Sequence, residues 1–139
     1  MSDKIRAVIV DDEETAIDNL CFELKKYQWI SVEGVARNGK AGIRLIEKEH
    51  PDLLFLDVEL PDMLGMDVAI KVHEMQNWNM HIIFYTAYNK YLIDALRNYA
   101  FDFLDYVILQ QLHHRQIYVD LVVRMSHVIP VPAVLRRLS

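Results

Sequence analysis

Leu53-Leu54-Phe55-Leu56-Asp57-Val58-Glu59-Leu60-Pro61-Asp62-Met63-Leu64-Gly65 is the stretch on which the reading of this chain turns. Four consecutive apolar residues end on an acid, and a loop carrying a proline and a glycine follows. A continuous apolar run, unlike an alternating one, marks a strand buried on both faces of a parallel sheet. Asp57 then stands at the carboxyl end of that strand, where open parallel sheets bind their ligands. The same design recurs on either side. Ile5-Arg6-Ala7-Val8-Ile9-Val10 runs into Asp11-Asp12-Glu13-Glu14, and His81-Ile82-Ile83-Phe84-Tyr85 runs into Thr86.

Helical spacing fills the gaps. Ile17, Leu20, Cys21 and Leu24 recur at i, i+3, i+4 and i+7, with Asp12 placed to cap that helix. Trp29 to Ala36 reads as a second strand. Asn38 caps a second helix with Ala41, Leu45 and Ile46 on its inner face, and Pro51 bars its continuation. Val68, Ala69, Val72 and Met75 predict a third helix, Leu92, Ala95, Leu96 and Tyr99 a fourth, and 101–108 a fifth strand. Alternating strands and helices predict an α/β, flavodoxin-like (βα)5 fold, a doubly wound parallel sheet of five strands with an atypical C-terminal segment. The expected domain covers 1–108. Residues 109–139 are expected to form a C-terminal helix and tail, irregular from 128 because of Pro130 and Pro132.

The chain has 139 residues, a one-domain length. With 53% hydrophobic and 25% charged residues it is unlike a disordered chain. Cys21 is the single cysteine, which excludes an internal disulfide framework and a multi-cysteine metal knuckle. No apolar run reaches the ~18–20 residues of a membrane span. The first residues lack a signal peptide's basic and apolar regions, so a cytoplasmic location is expected, with no membrane partner. The net charge of −5 is uneven. Residues 1–105 carry 11 Lys/Arg against 19 Asp/Glu, while 106–139 carry four arginines against Asp120. The acidic body argues against nucleic-acid binding.

If neighbouring strands bring Asp11, Asp12 and Asp57 together, three carboxylates crowd one pocket. Crowded carboxylates repel unless a cation neutralises them. A hard divalent ion, Mg²⁺, suits oxygen ligands and keeps waters that a phosphoryl oxygen can replace. Thr86 offers a hydroxyl to such an oxygen. The plainer reading is that these acids cap helices and solvate loops. An Asp pair, a separate Asp and a Thr, each ending an apolar strand, favour the site.

Val8-Ile9-Val10-Asp11-Asp12-Glu13, the stretch from Leu54 to Gly65, and Ile82-Ile83-Phe84-Tyr85-Thr86-Ala87-Tyr88 together resemble the receiver domain of two-component response regulators. The Thr-Ala-Tyr ending and Ala100-Phe101-Asp102-Phe103-Leu104 look most like receivers of the LytTR transcription-factor family. The resemblance covers about residues 4–104. It implies Asp57 as phosphoacceptor, with Mg²⁺ held by Asp11, Asp12, Asp57 and the backbone carbonyl of Glu59. It also implies Thr86 as the switch hydroxyl, Phe103 as the switch aromatic, and a sensor histidine kinase as partner. Such a chain takes part in its own phosphotransfer and is not a metabolic enzyme.

The resemblance breaks after residue 104. Receivers carry a Lys-Pro pair just beyond the fifth strand, and alignment puts Tyr106 and Val107 there. No lysine follows Lys90. Three explanations stand side by side: a degenerate receiver, substitution by a cation such as Arg115, or a chain that leaves the family's course near Asp105, as a frameshift would make it. The LytTR DNA-binding domain is absent from these residues, so direct DNA binding is not expected. A homodimer through the fourth helix and fifth strand, or through a swapped C-terminal segment, is expected. The alternative function is a phosphorylation-independent interaction module. A haloacid-dehalogenase-type phosphatase would need Asp-x-Asp at the first strand, which Asp11-Asp12-Glu13 is not. His113, His114 and His127 read as surface or half-buried histidines in preference to a metal site, Cys21 as a core residue, and Trp29 and Trp78 as half-buried anchors.

Overall fold

A computed structural model describes residues 4–87 and 106–111, with side chains placed over 4–84. The elements are β1 (Ile5–Val10), α1 (Glu14–Leu24), β2 (Ile30–Ala36), α2 (Gly39–Glu49), β3 (Leu53–Asp57), α3 (Gly65–Met75), β4 (His81–Ala87) and β5 (Tyr106–Gln111). They build one parallel sheet of five strands in the order β2-β1-β3-β4-β5. The chain moves outward from β1 to β2, then returns past β1 to β3, so the β1/β3 gap is the topological switch point.

Side-chain alternation explains why the strands are apolar without a break. Ile5, Ala7 and Ile9 of β1, Leu53 and Phe55 of β3 and Ile83 of β4 share one face, where Ile17, Leu20 and Leu24 of α1 pack. Val8, Val10, Leu54, Leu56, Ile82 and Phe84 turn to the other face, under Ile46 of α2 and Val68, Ala69 and Val72 of α3. The predicted inner stripes of these helices are therefore those observed, with Ala41, Leu45, Cys21 and Met75 half-buried. Burial pushes the Cys21 thiol up from its ordinary value, which suits packing and not nucleophilic attack.

Both tryptophans are half-buried and stand just before strands, as expected. Trp78 stacks on His50 with ring centroids 4.0 Å apart and donates its indole N–H to the Pro51 carbonyl at 2.9 Å. His50 closes α2 in the left-handed region, at φ 46°.

Four expectations change. α1 starts after Glu13 with no side-chain cap, so Asp12 does not cap it. Asp11 supplies the local tie instead, its carboxylate accepting from the Glu13 N–H at 2.9 Å. The second strand begins at Ile30 and not Trp29. The fourth strand continues past Tyr85 and Thr86 to Ala87. The fifth strand is Tyr106–Gln111 and not 101–108, so the sheet runs past the expected boundary at residue 108. Tyr-Val-Ile-Leu is itself a β-branched and apolar run, and its register against β4 fixes the shift. The predicted fourth helix lies outside the described residues.

Candidate functional site

Strand register assembles the site. Val10 pairs with Leu56 across β1 and β3, so the next residues, Asp11 and Asp57, leave the switch point side by side. Asp12 follows Asp11 into the same opening. One carboxylate oxygen from each of Asp11, Asp12 and Asp57 lies within 4.8 Å of the others. Asp11 is buried, at 2% exposure, Asp57 is half-buried and Asp12 is exposed.

The electrostatics follow from that crowding. Burial, and next the neighbouring Asp11 charge, push the Asp57 carboxyl up to about 8. The Glu59 N–H opposes the shift by donating to Asp57 Oδ1, but at 3.4 Å it is too long to win. Left to itself, this pocket disfavours the charged form of Asp57. A hard dication with a preference for carboxylate oxygens would relieve that penalty, so the donor set fits Mg²⁺.

The loop after Asp57 is tightly closed. Gly65 donates its N–H to the Val58 carbonyl at 2.8 Å, Leu60 donates to Met63 O at 3.2 Å, and Glu59 bridges to Leu64. A Cβ on Gly65 would lie 2.1 Å from the Asp57 carbonyl oxygen. Glycine is required there by close approach, its φ being negative. The loop holds Glu59, whose backbone carbonyl the family resemblance implies as a ligand, beside Asp57, with its N–H directed at Asp57 Oδ1.

The other nominated residues fall as follows. Asp57 pairs with Tyr85 across β3 and β4, which puts the Thr86 backbone one step beyond Asp57 at the carboxyl end. The Thr86 hydroxyl lies outside the described side chains, and Phe103, Tyr88, Arg115, His113, His114 and His127 lie outside the described residues. Tyr106 is corrected. It pairs with Ile82 at the amino end of β5, and Gln110 is the residue beside Thr86. Four residues at ~3.3 Å each separate Tyr106 from the level of the site. The positions at the carboxyl end of β5 are Gln110 and Gln111, so no lysine stands there either.

Comparison with known proteins now adds the decisive observation: residues 7–115 match the response regulator receiver domain. The chain belongs to that family. The transcriptional regulatory protein BtsR of Escherichia coli strain K12 is 35% identical over 100 residues, covering 72% of this chain and 41% of BtsR. An uncharacterized response regulatory protein of Yersinia pestis is 33% identical over 113 residues, covering 81% of this chain and 45% of that protein. The chain thus spans less than half the length of these relatives. Among solved structures, the response regulator domain of Thermotoga maritima CheB superposes with a TM-score of 0.72 at 20% identity, covering 93% of this chain and 98% of that one. The REC domain of RcsB from Salmonella enterica serovar Typhimurium gives 0.73 at 18% identity, covering 97% and 98%. These establish the flavodoxin-like receiver fold. No helix among the described residues is long and apolar enough to cross a membrane.

Two features escaped the sequence reading. The carboxylate of Asp62 reaches α2, accepting from the Gly39 N–H at 2.7 Å and the Lys40 N–H at 3.0 Å. Arg37, just past β2, donates to the Asp12 backbone carbonyl at 3.1 Å. Neither carries a periodic or spacing signal, because both act across segments distant in sequence.

Proposed function

We propose that this receiver accepts a phosphoryl group on Asp57 in a Mg²⁺-dependent reaction, with a sensor histidine kinase as donor. The convergence of Asp11, Asp12 and Asp57 at the β1/β3 switch point is the observation that carries this reading. Bound Mg²⁺ supplies charge neutralisation on the transferring phosphoryl group. Asp11, Asp12, Asp57 and the Glu59 carbonyl are the residues that would hold it. Once deprotonated, a carboxylate oxygen of Asp57 attacks phosphorus, the bond from phosphorus to the donor breaks, and an acyl phosphate remains on the protein. Thr86, at the carboxyl end of β4, offers its hydroxyl to the new phosphoryl oxygen, and Phe103 follows as the switch aromatic.

The finer assignments belong to the same reading: a LytTR-type receiver, acting in the cytoplasm, regulating transcription without contacting DNA through these residues, and catalysing no metabolic reaction. Two copies pair through the fourth helix and fifth strand or through a swapped C-terminal segment. One sequence fact favours a second reading, a phosphorylation-independent interaction module: no lysine follows Lys90. Loss of a charge-assisted contact of ~1.5–3 kcal/mol weakens the phosphorylated state without unfolding the chain.

Intact mass after incubation with acetyl phosphate and Mg²⁺ separates the two readings. A phosphoryl adduct is expected on the parent, and none on Asp57→Asn or in excess chelator. A folded parent that takes up no phosphoryl group would reject phosphotransfer in favour of the interaction module.

A further inference from the structure

The N-terminus of α2 is wedged between the two acid-bearing segments. On one side Gly42 packs against Val10, the residue before Asp11, so closely that a Cβ there would lie 2.9 Å from its methyl groups. On the other side Gly39 meets Met63, whose Cγ would stand 2.4 Å from an added Cβ. Asp62 completes this second contact with two hydrogen bonds to the Gly39 and Lys40 N–H groups. These two amides hold its carboxyl below the usual carboxylate range, Lys40 more strongly than Gly39.

The first four amides of a helix lack partners within it. Here the helix caps only part of its own end: Asn38 Oδ1 accepts from Ala41 at 2.8 Å and the Asn38 carbonyl from Gly42 at 2.9 Å. The Gly39 and Lys40 amides are left to the β3–α3 loop. A negative charge at that end also suits the helix dipole. The loop is short and closed at its base by Gly65 on Val58. Its tip is therefore fixed to α2, while its start carries Glu59 and follows directly on Asp57 at the end of β3.

We infer that Asp62 is a positioning residue for the cation site: by tying the loop after Asp57 to the N-terminus of α2, it sets the spacing between Glu59 and Asp57 on one side and Asp11 and Asp12 on the other. The inference rests on the Mg²⁺ reading above. It assigns α2, which contributes no ligand, the role of a strut between the two ligand-bearing segments. Asp62 touches neither metal nor phosphoryl group and acts through the loop backbone.

The test is calorimetric titration of the full chain with Mg²⁺, run on the parent, Asp62→Ala, Asp62→Asn and Asn38→Ala, with thermal unfolding of each. Asn38→Ala removes the helix's own cap and leaves the loop tie in place, so it controls for a role in helix stability alone. Asp62→Ala is expected to weaken Mg²⁺ binding roughly tenfold, the scale of losing a partner that orients ligands. Asp62→Asn, which keeps one acceptor, is expected to fall between parent and Asp62→Ala and serves if the alanine variant does not fold. Asn38→Ala is expected to stay within about twofold of the parent while losing thermal stability comparably. Equal affinities for parent and Asp62 variants, or equal losses in Asp62→Ala and Asn38→Ala, overturn the positioning role while leaving the metal reading intact. A folded parent that binds no Mg²⁺ overturns the metal reading and the strut with it.

Discussion

Gly65→Ala is expected to lose about 3 kcal/mol of stability and the cation site with it. The added Cβ would sit 2.1 Å from the Asp57 carbonyl oxygen and 3.2 Å from the Val58 Cα, both backbone atoms. A flexible side chain could turn away from such a contact, but these strands cannot. β3 is held by β1 on one side and β4 on the other. Relief must come from moving α3 off the loop, which breaks the 2.8 Å bond from the Gly65 N–H to Val58 and shifts Asp57. Urea unfolding measures the first loss and Mg²⁺ titration the second. A variant with the parent's midpoint would show that the contact yields without cost.

Asp57→Asn is expected to act in the opposite sense on the metal-free chain. Burial and the Asp11 charge push the Asp57 carboxyl up to about 8 in the fold from an ordinary value of 3.8. A raised carboxyl binds a proton in the native state that the unfolded chain has already released, so native stability falls as pH rises between those two values. Below the lower value both states are protonated and the term vanishes. Above the upper value the full penalty applies. Burial is its largest cause, repulsion from Asp11 the next, and the Asp12 charge adds to both. Allowing for solvent screening of a half-buried group, the penalty is on the order of 2 kcal/mol. The asparagine variant is therefore expected to unfold several degrees higher than the parent at pH 8 and at nearly the same temperature at pH 4. Parallel pH profiles for the two proteins would deny the crowding.

Much of this was legible in the sequence for a physical reason. Strands covered on both faces must be apolar at every position, so Leu53–Leu56 and Val8–Val10 announce themselves, and the acids that stop them mark the end of the sheet where chemistry occurs. The helix stripes at Ile17, Leu20 and Leu24 and at Val68, Ala69 and Val72 are equally direct. The fifth strand was harder. Apolar residues from Phe101 through Leu109 are interrupted by Asp102 and Asp105, and pairing with β4 selects Tyr106–Gln111 as the segment in register. Asp12 as a helix cap failed because α1 begins at Glu14 with Glu13 in the cap position, one residue beyond Asp12. The Asp62 tie was invisible because a carboxylate that caps another segment's helix looks, in sequence, like any acid in a loop.

Asp11, Asp12 and Asp57 would hold a divalent cation as one site, with a proton on Asp57 in its place when the metal is absent. Calorimetric titration of the metal-free chain with Mg²⁺ at pH 7, in buffers of different ionisation heat, counts the protons released on binding. With Asp57 titrating at about 8, close to one proton is expected to leave for each Mg²⁺ bound. Binding without proton release, or no binding by a folded chain, would contradict the account.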